Sequence, residues 1–152
     1  AMAHLAFDDL PKVFVDHREI ERQGPTYTVD TLTELKAEFP DAAFYLFIGQ
    51  DQALAFKTWK SWEAVLSMAT LVVAQRPVES PRPSASAAAQ WHNALPANVQ
   101  SLDMPPLDVS ATEIRARIAS AQSVPPWLPA PVLHYIAQNR LYQTPTDDRI
   151  HR

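Results

Sequence analysis

The sequence has no cysteine and only two glycines in 152 residues. Without cysteine there are no disulfides, no thiol catalysis and no Cys-ligated zinc or iron–sulfur sites. Such a chain fits a reducing compartment, and a cytoplasmic protein is expected. The glycines stand at positions 24 and 49. A P-loop needs two glycines in one short window and a dinucleotide fingerprint two or three, so neither motif is present. No apolar run approaches the ~20 residues of a membrane-spanning helix, and no signal-peptide pattern is visible, so no membrane partner is expected. An excess of basic charge is also lacking. Thirteen Lys and Arg face seventeen Asp and Glu, for a net charge of −4 and a pI near 5.7. The cations are scattered rather than gathered into a basic face, so nucleic acid is not an expected partner. A small anionic ligand needs only a few well-placed arginines and stays open.

What is present reads as alternating strands and helices. Met2, Leu5 and Ala6 fall at helical spacing. Residues 12–16 are a β-branched and aromatic run that predicts a strand. Thr28 predicts a helix N-cap, with Tyr27 and Leu32 as its hydrophobic staple and Leu32, Leu35 and Phe39 as its apolar stripe. Residues 43–48 are continuously apolar and end at Gly49, which suits a strand buried on both faces of a parallel sheet. Thr58 predicts the cap of a helix carrying Trp59, Trp62, Val65 and Leu66. Residues 70–74 predict another strand. This is the grammar of an α/β domain. Six of the fourteen prolines then fall at 77, 81, 83, 96, 105 and 106. That stretch predicts a loop over 78–86, a short helix over 87–95 and a short strand over 99–104. Ser110-Ala111-Thr112-Glu113 predicts a capping box opening a helix with Ile114 and Ile118 inward. Pro131 predicts the first turn of a last helix with Val132, Leu133, Ile136 and Ala137. One domain over 1–143, with a variable region at 77–106 and a polar tail over 144–152, is the expected organisation.

Three constellations could carry chemistry. Gly49-Gln50-Asp51 follows a strand, where α/β sheets bind ligands, and Asp51 could take ribose hydroxyls. The plain alternative is a strand-ending glycine and a helix-capping aspartate. Ser110, Thr112 and Arg115 gather at a helix N-terminus, which suits phosphate, against the alternative of a cap with a solvated arginine. Trp59 and Trp62 are three apart and would share a helix face, one ring free to stack on an aromatic ligand, against the alternative of packing alone. The five histidines form no metal-binding pair, and no G-x-S-x-G elbow supports a serine hydrolase.

In order, Gly24-Pro25-Thr26-Tyr27-Thr28-Val29-Asp30, Phe47-Ile48-Gly49-Gln50-Asp51, Thr58-Trp59-Lys60-Ser61-Trp62, Gln75-Arg76-Pro77, Val109-Ser110-Ala111-Thr112-Glu113-Ile114-Arg115 and Tyr135-Ile136 with Leu141-Tyr142 resemble bacterial nicotinate-nucleotide adenylyltransferases. The resemblance implies a Rossmann-like nucleotidyltransferase with a mainly parallel sheet. It implies adenylyl transfer from ATP to nicotinate mononucleotide in NAD biosynthesis, with Mg2+ accompanying ATP. By the same resemblance, Tyr27, Thr28, Asp51, Trp59 and Arg76 would hold the nicotinate nucleotide. Ile48, Gly49, Asp51, Ser110, Thr112 and Arg115 would bind ATP, with Arg115 stabilising phosphate charge. The family's G-G-x-F-D-P-x-H-x-G-H run, whose histidines hold ATP phosphates, is absent from this sequence. The chain is therefore expected to be the C-terminal two-thirds or so of such an enzyme and not to catalyse alone. A homo-oligomer is compatible with all of this. Two other readings stand beside it: a related transferase acting on nicotinamide mononucleotide or phosphopantetheine, and a non-catalytic nucleotide-binding module.

Overall fold

The computed structural model describes residues 1–75, 95, 99–105 and 109–143. Arg76, the 78–86 loop, most of the 87–95 helix and the 144–152 tail lie outside the described residues. The chain divides into two compact units, one of Ala1–Asp16 with Leu107–Arg152 and one of His17–Pro106.

The His17–Pro106 unit is an α/β layer. It runs α2 (Arg18–Glu21), α3 (Thr28–Glu38), β1 (Phe44–Gly49), α4 (Gln50–Ala55), a 3-10 turn (Phe56–Thr58), α5 (Trp62–Met68), β2 (Ala69–Gln75) and β3 (Gln100–Asp103). The sheet order is β1-β2-β3, and both pairs are parallel. Gly49 lies opposite Ala74, and Ala74 opposite Leu102, so all three strands finish toward one edge. The middle strand explains itself: Leu71, Val72 and Val73 are all buried, as expected for a strand covered on both faces.

Strand β1, at an edge of the sheet among the described residues, corrects the sequence expectation. Its apolar run is not buried on both faces, because Tyr45 is 55% and Phe47 62% exposed. Phe44, Leu46 and Ile48 face the core instead. A continuous apolar run does not by itself say on how many faces the strand is covered.

Other expectations shift as well. Residues 12–16 form no strand. They join no ladder with a described strand, and Phe14 is 89% exposed. Without a pairing partner, β propensity alone does not make a strand. Tyr27, not Thr28, is the N-cap of α3, and its carbonyl accepts from the Asp30 and Thr31 amides. Thr28 is thus the first helical residue, and the Tyr27–Leu32 spacing no longer matches a staple. Leu32 is buried on α3, whereas Phe39 lies just past its end and is half exposed. Thr58 caps nothing; its hydroxyl donates back to the Ala55 carbonyl, and α5 begins later behind Ser61.

In the other unit, α1 (Met2–Phe7), α6 (Ala111–Ala119) and α7 (Ala130–Gln138) follow the predicted spans closely. Pro131 sits in the first turn of α7, where its missing N–H costs nothing. Val132 and Ile136, one turn apart, are its buried residues; Ala137 is exposed. No helix among the described residues is long and apolar enough to cross a membrane.

The core of the α/β unit centres on Phe56, which is fully buried among Leu32, Ile48, Val65, Leu71 and Val73. Truncating a buried phenylalanine costs about 3–5 kcal/mol. Phe56→Ala is therefore expected to lower the unfolding free energy by about that amount in urea titration. A loss below about 1 kcal/mol would show that the core closes around the gap.

Candidate functional site

The α/β unit brings Tyr27 and the Trp59 turn together. Phe56 opens the 3-10 turn after α4, and both tryptophan rings lie against its ring. Trp59 lies at 5.0 Å, tilted by 45°, and Trp62 at 6.4 Å, edge-on. The two tryptophans do not share a helix face as their spacing predicts. Trp59 follows the 3-10 turn, Trp62 opens α5, and Ser61 between them takes a left-handed backbone with φ 51°. Trp59 is only partly buried, so it retains accessible ring surface.

Lys60 completes the junction, and sequence reasoning missed it. Its ammonium stands 4.3 Å from the centroid of the Tyr27 ring and donates to Asp30 Oδ2 at 3.3 Å. The Trp59 turn is thus fastened to the first turn of α3, beside Thr28. A lysine in a loop carries no such signal in sequence. What could have found it is Asp30 in the first helical turn, where a carboxylate is favoured and a cation can join it.

At the C-terminal end of β1, Gly49 is the N-cap of α4 with φ −80°, an ordinary value for any residue. A Cβ added there would meet nothing within 4 Å. Neither backbone strain nor packing among the described residues requires this glycine. Ile48 is buried beneath it. Asp51 does not cap the helix; it is exposed in the first turn and bonds no described side chain. Gln50 Nε2, between them, is buried and finds no hydrogen-bond partner among the described residues. An unmet buried donor costs about 1–3 kcal/mol, which makes Gln50 a second residue that sequence reasoning passed over.

The phosphate-side candidates lie in the other unit. Ser110 is the N-cap of α6, as predicted, but its side chain makes no cap bond. The capping box does not form because Glu113 is taken by Arg117, one turn on. Arg117 Nε and Nη2 both donate to Glu113 Oε1, at 3.0 and 2.8 Å, while its guanidinium lies 5.5 Å from the Trp127 ring centroid. Ser110 and Thr112 are exposed, and their hydroxyls bond no described group. Arg115 is exposed too and pairs with no described carboxylate. It sits at an apolar groove of about 320 Å³ lined also by Met2, Phe7, Ile114, Val132 and Ile136. Among the described residues, two hydroxyls and a guanidinium without partners thus lie within the first turns of α6, where a helix N-terminus favours an anion.

A cytidylyltransferase-like family model matches residues 1–117. A protein of Albidiferax ferrireducens named "probable nicotinate-nucleotide adenylyltransferase" is 47% identical over 144 residues, covering 95% of this chain and 71% of that protein. The chain belongs to the nicotinate-nucleotide adenylyltransferase family. Members of this family are nucleotidyltransferases of NAD biosynthesis. A relative of the same name from Methylibium petroleiphilum is 43% identical over 86% of this chain, which spans 61% of that protein. The solved Plasmodium falciparum nicotinic acid mononucleotide adenylyltransferase complexed with APC aligns with a TM-score of 0.59 over 79% of this chain and 60% of its own. At 18% identity that likeness shows the fold, a Rossmann-like nucleotidyltransferase with a parallel sheet.

A helix-capping serine is worth about 0.5–2 kcal/mol when its side chain bonds the first turn. Ser110 makes no such bond. Ser110→Ala is expected to change the unfolding free energy by less than about 0.5 kcal/mol, measured by urea titration. A loss of a full kilocalorie or more would mean that the capping box forms in solution.

Proposed function

We propose that this protein transfers the adenylyl group of ATP to nicotinate mononucleotide, giving nicotinate adenine dinucleotide and pyrophosphate. The observation that carries this reading is the 47% identity over 95% of the chain to a relative bearing that name. In this reading Trp59 stacks on the pyridine ring, and Tyr27 and Thr28 hold the nicotinate end. Asp51 takes a ribose, and Ile48 and Gly49 line the nucleotide path. Arg76, which lies outside the described residues, would stand near the nicotinate nucleotide. Ser110, Thr112 and Arg115 hold the ATP phosphates.

A phosphate oxygen of the mononucleotide attacks the α-phosphorus of ATP in line. The bond from that phosphorus to the bridging oxygen breaks, and pyrophosphate leaves with the electron pair. No covalent enzyme intermediate is needed. Catalysis is then positioning and charge stabilisation. The free guanidinium of Arg115 suits that task because no described carboxylate competes for it. Among the described residues no three His, Asp or Glu side chains converge. The described residues thus supply no metal cage. Mg2+ belongs to this reading as part of the substrate, held chiefly by the ATP phosphates.

Full-length protein is expected to release pyrophosphate only when both ATP and nicotinate mononucleotide are supplied. No release would overturn the reading, and equal turnover of nicotinamide mononucleotide would favour the broader acceptor class instead. Loss of one charge-stabilising donor costs about 10²–10³-fold. Arg115→Ala should lower kcat/KM by that order, with Ser110→Ala acting mainly on the KM for ATP.

A further inference from the structure

The loop between α2 and α3 has almost no backbone support. Gly24 turns it with a left-handed φ of 87°, and Pro25 has no N–H to offer. Among the described residues, no backbone N–H from position 23 to 27 donates to another backbone carbonyl. Yet this loop delivers Thr26, Tyr27 and Thr28 to the start of α3.

Side chains do what the backbone does not, and Arg22 is their centre. Its side chain is only 17% exposed. Nη1 donates to the Thr26 hydroxyl. Nη2 donates to Glu34 Oε1 at 2.9 Å, two turns along α3. Both nitrogens also lie 3.4 Å from the Thr31 hydroxyl, which itself donates to Glu19 of α2 at 2.6 Å. Arg22 therefore spans the loop and ties its last free residue to the body of α3. A planar fork can hold two such partners at once, which a lysine ammonium does less well.

We propose that Arg22 is a positioning residue for the nicotinate mononucleotide end of the site. It acts through Thr26, holding the loop so that the Tyr27 backbone and the Thr28 hydroxyl are presented to the pyridine nucleotide. It touches neither substrate. The inference rests on the proposed adenylyl transfer to nicotinate mononucleotide.

The test uses steady-state kinetics of the full-length protein with each substrate varied in turn. Small displacements of positioning groups cost up to about 10²-fold. Arg22→Ala is expected to raise the KM for nicotinate mononucleotide about tenfold or more, with the KM for ATP and kcat within about threefold of wild type. Arg22→Lys should recover part of that loss. Thr26→Val should raise the same KM, and the double variant should be no worse than the poorer single, as two residues acting through one contact require. Should Arg22→Ala fail to fold, Thr26→Val, which removes only a hydroxyl, carries the test alone. Equal rises in both KM values, an unchanged KM for the mononucleotide, or additive effects would each overturn the positioning role. Wild-type turnover is measured first. Its absence overturns the function itself, whereas normal turnover with an indifferent Arg22→Ala overturns only this inference.

Discussion

Parallel pairing of β1 with β2 is the constraint on which the α/β unit depends. A parallel pair cannot be closed by a tight turn, so the chain must cross back over the sheet between them. That crossing is α4, the 3-10 turn and α5, and it has to cover the sheet as it returns. Phe56 lies near its midpoint, fully buried in one cluster with strand residues and against the rings of two tryptophans. The same pairing sends β1 and β2 in one direction, so Gly49 and Asp51 emerge at the edge where β2 also ends. The location of the candidate nucleotide residues is thus a consequence of strand direction. Their chemistry is supplied afterwards by loops.

Polar side chains then settle where those loops run. Lys60 joins Asp30 and lies over Tyr27, and Arg22 joins Thr26, Thr31 and Glu34. The carboxylates of these pairs are well exposed, Asp30 at 37% and Glu34 at 49%. Pairs of that kind contribute about 0–1 kcal/mol each to stability. Their magnitude assigns them a geometric role: each is too weak to hold up the fold, yet sufficient to select one path for a short loop. Arg117 does the same for α6, drawing Glu113 away from Ser110 and leaving the hydroxyl open.

Elements whose partners are close in sequence were legible from the residues. The spans of α1, α6 and α7 followed from apolar spacing and from Ser110 and Pro131. β2 followed from its β-branched run. Where pairing or competition decides the outcome, local pattern misled. Residues 12–16 have strand-like side chains but join no strand among the described residues. The 43–48 run reads as buried on both faces, yet Tyr45 and Phe47 leave one face exposed. The S-x-x-E pattern at Ser110 and Glu113 is intact, but Arg117 takes the carboxylate. Trp59 and Trp62 have helical spacing, yet Ser61 breaks the helix between them. Among the described residues, the side chains of Asp51, Ser110, Thr112 and Arg115 have no polar partner. Lys60 and Arg22 escaped notice because their roles depend on partners that only the folded chain brings near.

The outer side of β1 has one more consequence. Among the described residues its backbone pairs with β2 alone, and Tyr45 and Phe47 stand open beside that free edge. An unpaired strand edge flanked by large apolar rings is a template for another strand, from this chain or any other. No charged side chain interrupts β1, and only Gly49 at its end breaks the aromatic and aliphatic run. A strand laid along that edge would meet backbone donors and acceptors already in place, with two exposed rings beside it, so the sheet can widen there with β2 and β3 unmoved.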